Sequence, residues 1–174
     1  KLGKRTLSFI EAAMIHWPDS MFTYCKEDEL LMSNDAFGQH YATNERFDDE
    51  VDEIALMEEV VKYYANILWP LSSVILKKIE EIQKSGIRIN MIAPSHGVIW
   101  RKDPGMVVKA YQSWARNETI KKVVIVYETM WGATEKMARK IAEGLMDSKV
   151  DVKIFDINQS DRTDVITEMF NARA

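Results

Sequence analysis

The sequence predicts an α/β protein in two parts, and three observations carry that expectation. Short apolar runs bounded by turn residues recur along the chain, as strands do. Between them lie longer stretches with apolar residues three and four apart, as helices do. Past the polar stretch Arg116-Asn117-Glu118-Thr119 the order becomes strand, loop, helix, strand, helix, the opening of a doubly wound sheet. A boundary is expected there, giving parts at 1–118 and 119–174.

Each element has a local reason. Thr6 to Ala12 reads as a strand, followed by the polar loop His16-Trp17-Pro18-Asp19-Ser20. Met21 to Lys26 and Glu29 to Ser33 read as two strands around the acidic turn Lys26-Glu27-Asp28. Asn34 to Glu50 is a long loop, and long irregular loops in compact domains tend to be functional. Glu50 to Lys84 is helical in pattern, with Pro70 expected to end or kink the helix after Trp69. Val74, Ile75, Ile79 and Ile82 share one face of the second stretch, and Gly86 stands where a C-terminal cap belongs. Arg88 to Ile92 is the next strand. Pro104 to Arg116 is a helix with Asp103 at its N-cap and Pro104 at its first position. In the second part, Lys122 to Tyr127 is almost wholly apolar, as a buried parallel strand is. A helix over Gly132 to Met146, a strand over Val150 to Ile157 and a helix from Asp161 to Phe170 complete it.

Composition excludes several classes. Hydrophobic residues are 47% and charged residues 29% of the 174, which suits a globular protein. The net charge is −4 with no basic block, so no nucleic-acid partner is expected. No apolar run approaches the roughly 20 residues of a membrane span, and no signal peptide is visible. Cys25 is the only cysteine, so no internal disulfide forms and a reducing compartment, the cytoplasm, is expected. Cys25 itself reads as a small buried residue. The chain opens on Lys1 rather than Met and stops inside a helical pattern. Both ends are those expected of an internal piece of a longer polypeptide, although a processed N-terminus also accounts for the first.

Two constellations carry chemistry. Tyr127-Glu128-Thr129-Met130-Trp131-Gly132-Ala133-Thr134 joins the first strand of the second part to its helix. Such a loop aims backbone N–H groups at its mouth beside a helix N-terminus, which is the geometry that binds phosphate. Thr129 and Thr134 offer hydroxyl donors, and Gly132 lets the backbone come close. No Walker lysine and no Gly-x-Gly-x-x-Gly is present, which disfavours ATP and dinucleotides and suits the phosphate of FMN, with Trp131 flanking the flavin ring. A plain strand–helix turn with an N-cap threonine is the competing reading. The second constellation is His16, Asp35 and His96, each in a loop just past a strand. Loops at strand ends converge on one edge of a sheet, and imidazole with carboxylate suits iron, zinc or manganese. Against this stands the ordinary reading of a lone loop histidine as a hydrogen-bonded polar residue, and no local His-x-x-x-His spacing marks the set.

Three stretches resemble signatures of the flavodiiron family, in family order: His16-Trp17-Pro18-Asp19-Ser20-Met21, Ser33-Asn34-Asp35-Ala36-Phe37-Gly38-Gln39-His40 and Ala93-Pro94-Ser95-His96-Gly97. The phosphate loop resembles the Ser/Thr-x-Thr-Gly-x-Thr fingerprint of flavodoxins. It departs from that pattern at Glu128, where the first hydroxyl is missing or shifted to Thr129, and at Trp131. Its form Thr-Met-Trp-Gly-Ala-Thr is closer to the flavodoxin-like domain of flavodiiron proteins. The resemblance covers essentially the whole chain. It implies the C-terminal half of a metallo-β-lactamase-like αββα domain followed by the N-terminal half of a flavodoxin-like doubly wound domain.

By the same resemblance, His16 and His96 each bind one of two non-haem irons, Asp35 bridges both, and residues 129–134 hold FMN. Tyr63 and Tyr64 fall where the family has a tyrosine lining the site, and the sequence leaves open which one serves. The implied activity is reduction of O2 to water or of NO to N2O, with rubredoxin or a flavin reductase as electron donor, in a head-to-tail homodimer. The family's other ligands come from a His-x-Glu-x-Asp motif that this sequence lacks, so the chain alone is expected to be inactive. The rival classes are a dizinc metallo-β-lactamase-type hydrolase and an FMN-binding electron carrier whose metal half is structural.

Overall fold

A computed structural model describes residues 1–174, which divide into two compact units, Lys1–Arg116 and Asn117–Ala174. The first unit is built on a four-stranded sheet in the order β1 (Leu7–Glu11), β2 (Met21–Cys25), β3 (Leu30–Asn34), β4 (Met91–Pro94). β1 pairs antiparallel with β2, and β2 with β3, while β4 lies parallel to β3. Alternation along β2 and β3 buries Phe22, Tyr24, Leu31 and Ser33. Cys25 is buried beside the acidic turn, its Sγ 3.1 Å from Asp28 Oδ2.

The fourth strand begins later than the 88–92 expected. The Tyr24 hydroxyl takes the Arg88 carbonyl, and the Asn90 N–H is held by the Glu29 carbonyl, so the ladder opens only at Met91. On the far side of β4, Ile92 exchanges both backbone bonds with Trp100, each 2.9 Å.

The helical stretch is interrupted rather than continuous. Asp52 caps α1 (Glu53–Tyr63) by accepting from the Ala55 N–H, so the helix starts after the expected Glu50. Leu56 and Val60, four apart, have no exposed surface, and burial of such side chains contributes about 1.5–3 kcal/mol each. A π-helical turn over Tyr64–Leu68 and a 3-10 turn over Trp69–Leu71 follow, the latter at Pro70 where a break was expected. α2 (Ser72–Lys84) buries Ile75 and Ile79, and α3 (Pro104–Ala115) buries Val107, Tyr111 and Ala115 at four-residue spacing. These two helices pack against each other. Gly86 follows α2 at φ +72°, as a left-handed cap does. Asp103 stands at the N-cap of α3, but its side chain accepts no capping bond.

The second unit pairs β5 (Lys122–Tyr127) in parallel with β6 (Asp151–Asp156), joined by α4 (Ala133–Met146). Helix α5 (Arg162–Phe170) packs on β5, and Asp161 caps it by accepting from the Thr163 N–H. Ala138, Ala142, Val165 and Phe170 are buried, and the buried Lys122 ammonium sits 2.8 Å from Glu168. β5 departs from the expected buried strand: Val123 to Ile125 are half-buried and Val126 is exposed. Two helices on two strands leave apolar surface open, and Met137 and Ile141 of α4 are exposed with it. No helix is long and apolar enough to cross a membrane.

Candidate functional site

Strand direction brings the three metal candidates together. β1 and β3 both run antiparallel to β2, and β4 runs parallel to β3, so β1, β3 and β4 share one direction. The loops that leave their C-terminal ends therefore open on the same edge, and those loops hold His16, Asp35 and His96. A groove lined by Tyr24, Lys26, Ile82 and Arg88 belongs to the opposite edge and has no part in this set.

Asp35 is the centre of the arrangement. Its Oδ2 lies 3.5 Å from His16 Nε2, and its Oδ1 lies 3.3 Å from His96 Nε2. Each carboxylate oxygen thus faces a different imidazole, which defines two positions flanking one buried carboxylate. That donor set fits a bridging ligand between two metal ions. No group of three or more His, Cys, Asp or Glu side chains gathers around a single point. The geometry explains why: each position has one histidine and one carboxylate oxygen. That falls short of the two-histidine, one-carboxylate set of non-haem iron sites.

The loops are held from below. Ile15 is buried beside His16, and the Trp17 N–H donates to Ser20 Oγ at 3.1 Å, closing the first loop. In the second, the Ser33 hydroxyl donates to the Ala36 carbonyl, and Phe37 takes a left-handed φ of +66°. Its N–H donates to the buried Tyr111 hydroxyl at 2.9 Å, and its carbonyl accepts from Trp100 Nε1 at 2.8 Å. The third loop is tied to the second through Ser95, whose N–H and hydroxyl donate to the Asn34 carbonyl and side chain at 2.7 and 2.9 Å.

The two adjacent tyrosines separate. The ring of Tyr63 lies 4.9 Å from His40, edge-on, and 6.1 Å from His96. Burial, and then the charge of Asp35, push its phenol well above the ordinary tyrosine range, so the hydroxyl keeps its proton at neutral pH. Tyr64 turns into the core against Tyr111 and Trp114, its hydroxyl 2.9 Å from Ser72 Oγ. Tyr63 is therefore the one beside the metal candidates. His40 is exposed, and its ring lies 5.6 Å from that of His96. Residue-by-residue reading of the sequence missed the supports Gln39, Trp100 and Tyr111. A glutamine inside the Asp35 stretch was the only available signal, and it shows neither periodicity nor spacing.

In the second unit, the loop after β5 ends at Gly132, the N-cap of α4, with φ +79° and ψ 0°. The helix thus opens on glycine, not on the threonine of the plain-turn reading, and no side chain caps it. Thr129 Oγ1 accepts from the Gly132 N–H at 2.9 Å and folds the loop back on itself. Thr134 is the second residue of the helix and is exposed, as is Ala133 at its first position. Met130 and Trp131 stand out from the loop tip, 84% and 90% exposed. The mouth therefore combines threonine hydroxyls that still have a proton to donate, first-turn N–H groups and an aromatic plane, which fits a phosphate with a flat ring beyond it.

Comparison with known proteins agrees with both units. A family model described as ODP family beta lactamase matches residues 1–97, and one described as Flavodoxin matches residues 125–172. The chain is 58% identical over 173 residues to a nitric oxide reductase of Moorella thermoacetica, covering 99% of this chain and 43% of that protein. It is 46% identical over 175 residues to a coenzyme F420H2 oxidase of Methanothermobacter marburgensis, with the same coverage. Among solved structures, the rubredoxin oxygen:oxidoreductase of Desulfovibrio gigas matches with a TM-score of 0.96 at 39% identity, covering 99% of this chain and 43% of that one. The flavodiiron protein of Giardia intestinalis matches with a TM-score of 0.91 at 40% identity, covering 97% and 41%. The chain spans less than half the length of these relatives. With a β-lactamase-type part and a flavodoxin-type part in this order, and relatives of both kinds matching nearly all of it, the chain belongs to the flavodiiron protein family.

Proposed function

We propose that the whole protein is a flavodiiron oxidoreductase that reduces O2 to water with four electrons and four protons, or two NO to N2O and water with two of each. The observation that carries this reading is Asp35, one carboxylate set between two imidazoles, with one oxygen toward each. Two irons held there and an FMN on the loop at 129–134 supply the electron storage and transfer that no amino-acid side chain offers. His16 and His96 would hold one iron each, and Asp35 would offer one oxygen toward each. Tyr63, beside His96, keeps its phenol protonated next to the proposed metal positions. Rubredoxin or a flavin reductase donates the electrons, the working unit is a head-to-tail homodimer, and the compartment is the cytoplasm. The 174 residues supply two histidines and one carboxylate to the centre, so by themselves they hold metal weakly and turn over no substrate.

Metal analysis and a visible spectrum of the whole protein test the reading. Iron with flavin supports it. Zinc without flavin, the result for a hydrolase, or flavin without metal, the result for an electron carrier, overturns it.

The phosphate loop gives a separate expectation. Thr129→Val with Thr134→Val removes two hydroxyl donors, each worth about 1.5–3 kcal/mol toward a charged group. Thr129→Val also releases the Gly132 N–H from its turn. Titration of apoprotein with FMN is expected to show an affinity at least about tenfold weaker. An unchanged dissociation constant moves the phosphate elsewhere.

A further inference from the structure

We propose that Gln39 is a positioning residue that holds the His96 imidazole in register with the Asp35 carboxylate. The proposal rests on the reading of Asp35 and His96 as ligands. Gln39 has no exposed surface, although it lies one position from the exposed His40. Burial of a carboxamide is costly unless its polar atoms are paired. Here both ends are spent on one residue of the β4 loop: Oε1 accepts from the Val98 N–H at 2.7 Å, and Nε2 donates to the Val98 carbonyl at 3.3 Å. The Gln39 backbone N–H donates to the His96 carbonyl at 3.3 Å. Three bonds from one residue therefore bracket Gly97, just past the histidine.

Glycine at 97 is part of the same device. Its φ is +80°, and a Cβ there would stand 1.2 Å from Gln39 Oε1, so the carboxamide fills the space a side chain would take. Gly38 on the other loop is tight to a lesser degree, since a Cβ on it would lie 3.0 Å from the Asp35 carbonyl and 3.4 Å from that of His96. On its other side His96 is tied through Ser95 to Asn34. The His96 backbone is thus pinned to the Asp35 loop before and after the histidine. Val98 and Trp100 beyond it are buried and carry the restraint into the core. His16 stands on the loop after β1, and the Gln39 hydrogen bonds go to Val98 and His96 instead. A loosened clamp therefore moves one imidazole of the pair and leaves the other in place, which a general loss of fold would not do.

The test uses the whole protein with Gln39→Leu and Gln39→Glu. Leucine removes both bonds to Val98. Glutamate keeps an acceptor for the Val98 N–H and sets a second oxygen against the Val98 carbonyl. Iron per chain, FMN per chain, circular dichroism and the electron paramagnetic resonance of the half-reduced protein are measured together. Both variants are expected to keep FMN and secondary structure, and to bind the His96-side iron about 10–100-fold more weakly, the range for loss of a group that orients a ligand. Iron content then falls from about two toward about one per chain, and the signal of a spin-coupled pair gives way to that of a single iron. Two irons with an unchanged coupled signal in either variant overturn the proposal. So does joint loss of iron, FMN and secondary structure in both, because Gln39 would then serve the fold alone. A wild-type protein without an iron pair overturns the site assignment itself, which separates that failure from failure of the clamp.

Discussion

Asp35→Ala in the whole protein is expected to lose both irons and to lower O2 or NO turnover by at least about 100-fold. Removal of a residue that merely orients a ligand costs about 10–100-fold, and Asp35 serves two positions at once. Its two oxygens stand 3.5 and 3.3 Å from two different imidazoles, so truncation removes a carboxylate oxygen from both positions at once. The fold is expected to survive. The loop around Asp35 is held by the Ser33 hydroxyl, the Tyr111 hydroxyl, the Trp100 indole and the Gln39 carboxamide, none of which bonds to the Asp35 side chain in these contacts. Circular dichroism and FMN content should therefore match the wild type while iron analysis reads well below one per chain. Two irons and normal turnover in Asp35→Ala would remove Asp35 from the site.

A mixture of two dead variants is expected to regain activity, on the proposal of a head-to-tail dimer. The phosphate loop and the metal candidates belong to different compact units joined at Arg116–Asn117. The polar stretch Arg116-Asn117-Glu118-Thr119 lies at that junction. In a head-to-tail pair, the flavin of one subunit serves the irons of its partner. Gly132→Val forces a β-branched residue into a backbone at φ +79° and should abolish FMN binding. His96→Ala should leave FMN in place and disable the metal centre. Each homodimer is expected to be inactive. Random re-association makes half of the dimers hybrid, and each hybrid joins one intact flavin to one intact iron pair, so roughly a quarter of wild-type activity should return under two-fold symmetry. Hybrids that form and remain inactive would show that electrons pass within one chain.

The local elements were legible because they follow from short-range physics. β5 occupies the Lys122–Tyr127 expected from its apolar run, Asp161 caps α5, and Pro70 stands at the break between helices. The residue types of the candidate site could be picked out as well, since few side chains other than histidine and carboxylate suit a hard or borderline metal ion. The sheet edge was another matter. Whether His16, Asp35 and His96 meet depends on β1, β3 and β4 pointing the same way, and no window of sequence specifies the direction in which distant strands pair.

The sequence by itself determined the order of elements, the family resemblance and the identity of the candidate ligands. Tertiary structure decided which neighbours those residues have. Tyr63 and Tyr64 are adjacent and chemically alike, and a π-helical turn beginning at Tyr64 breaks the regular helical phase that a sequence reading assumes. One ring then lies beside His40 and His96, and the other packs against Tyr111 and Trp114. Gln39 has the same lesson: an amide in a loop reads as solvated until Val98, 59 positions away, supplies both of its partners. The exposure of β5 runs the other way, because an apolar run encodes a wish for burial, whereas the packing of neighbouring elements decides how much of it is met.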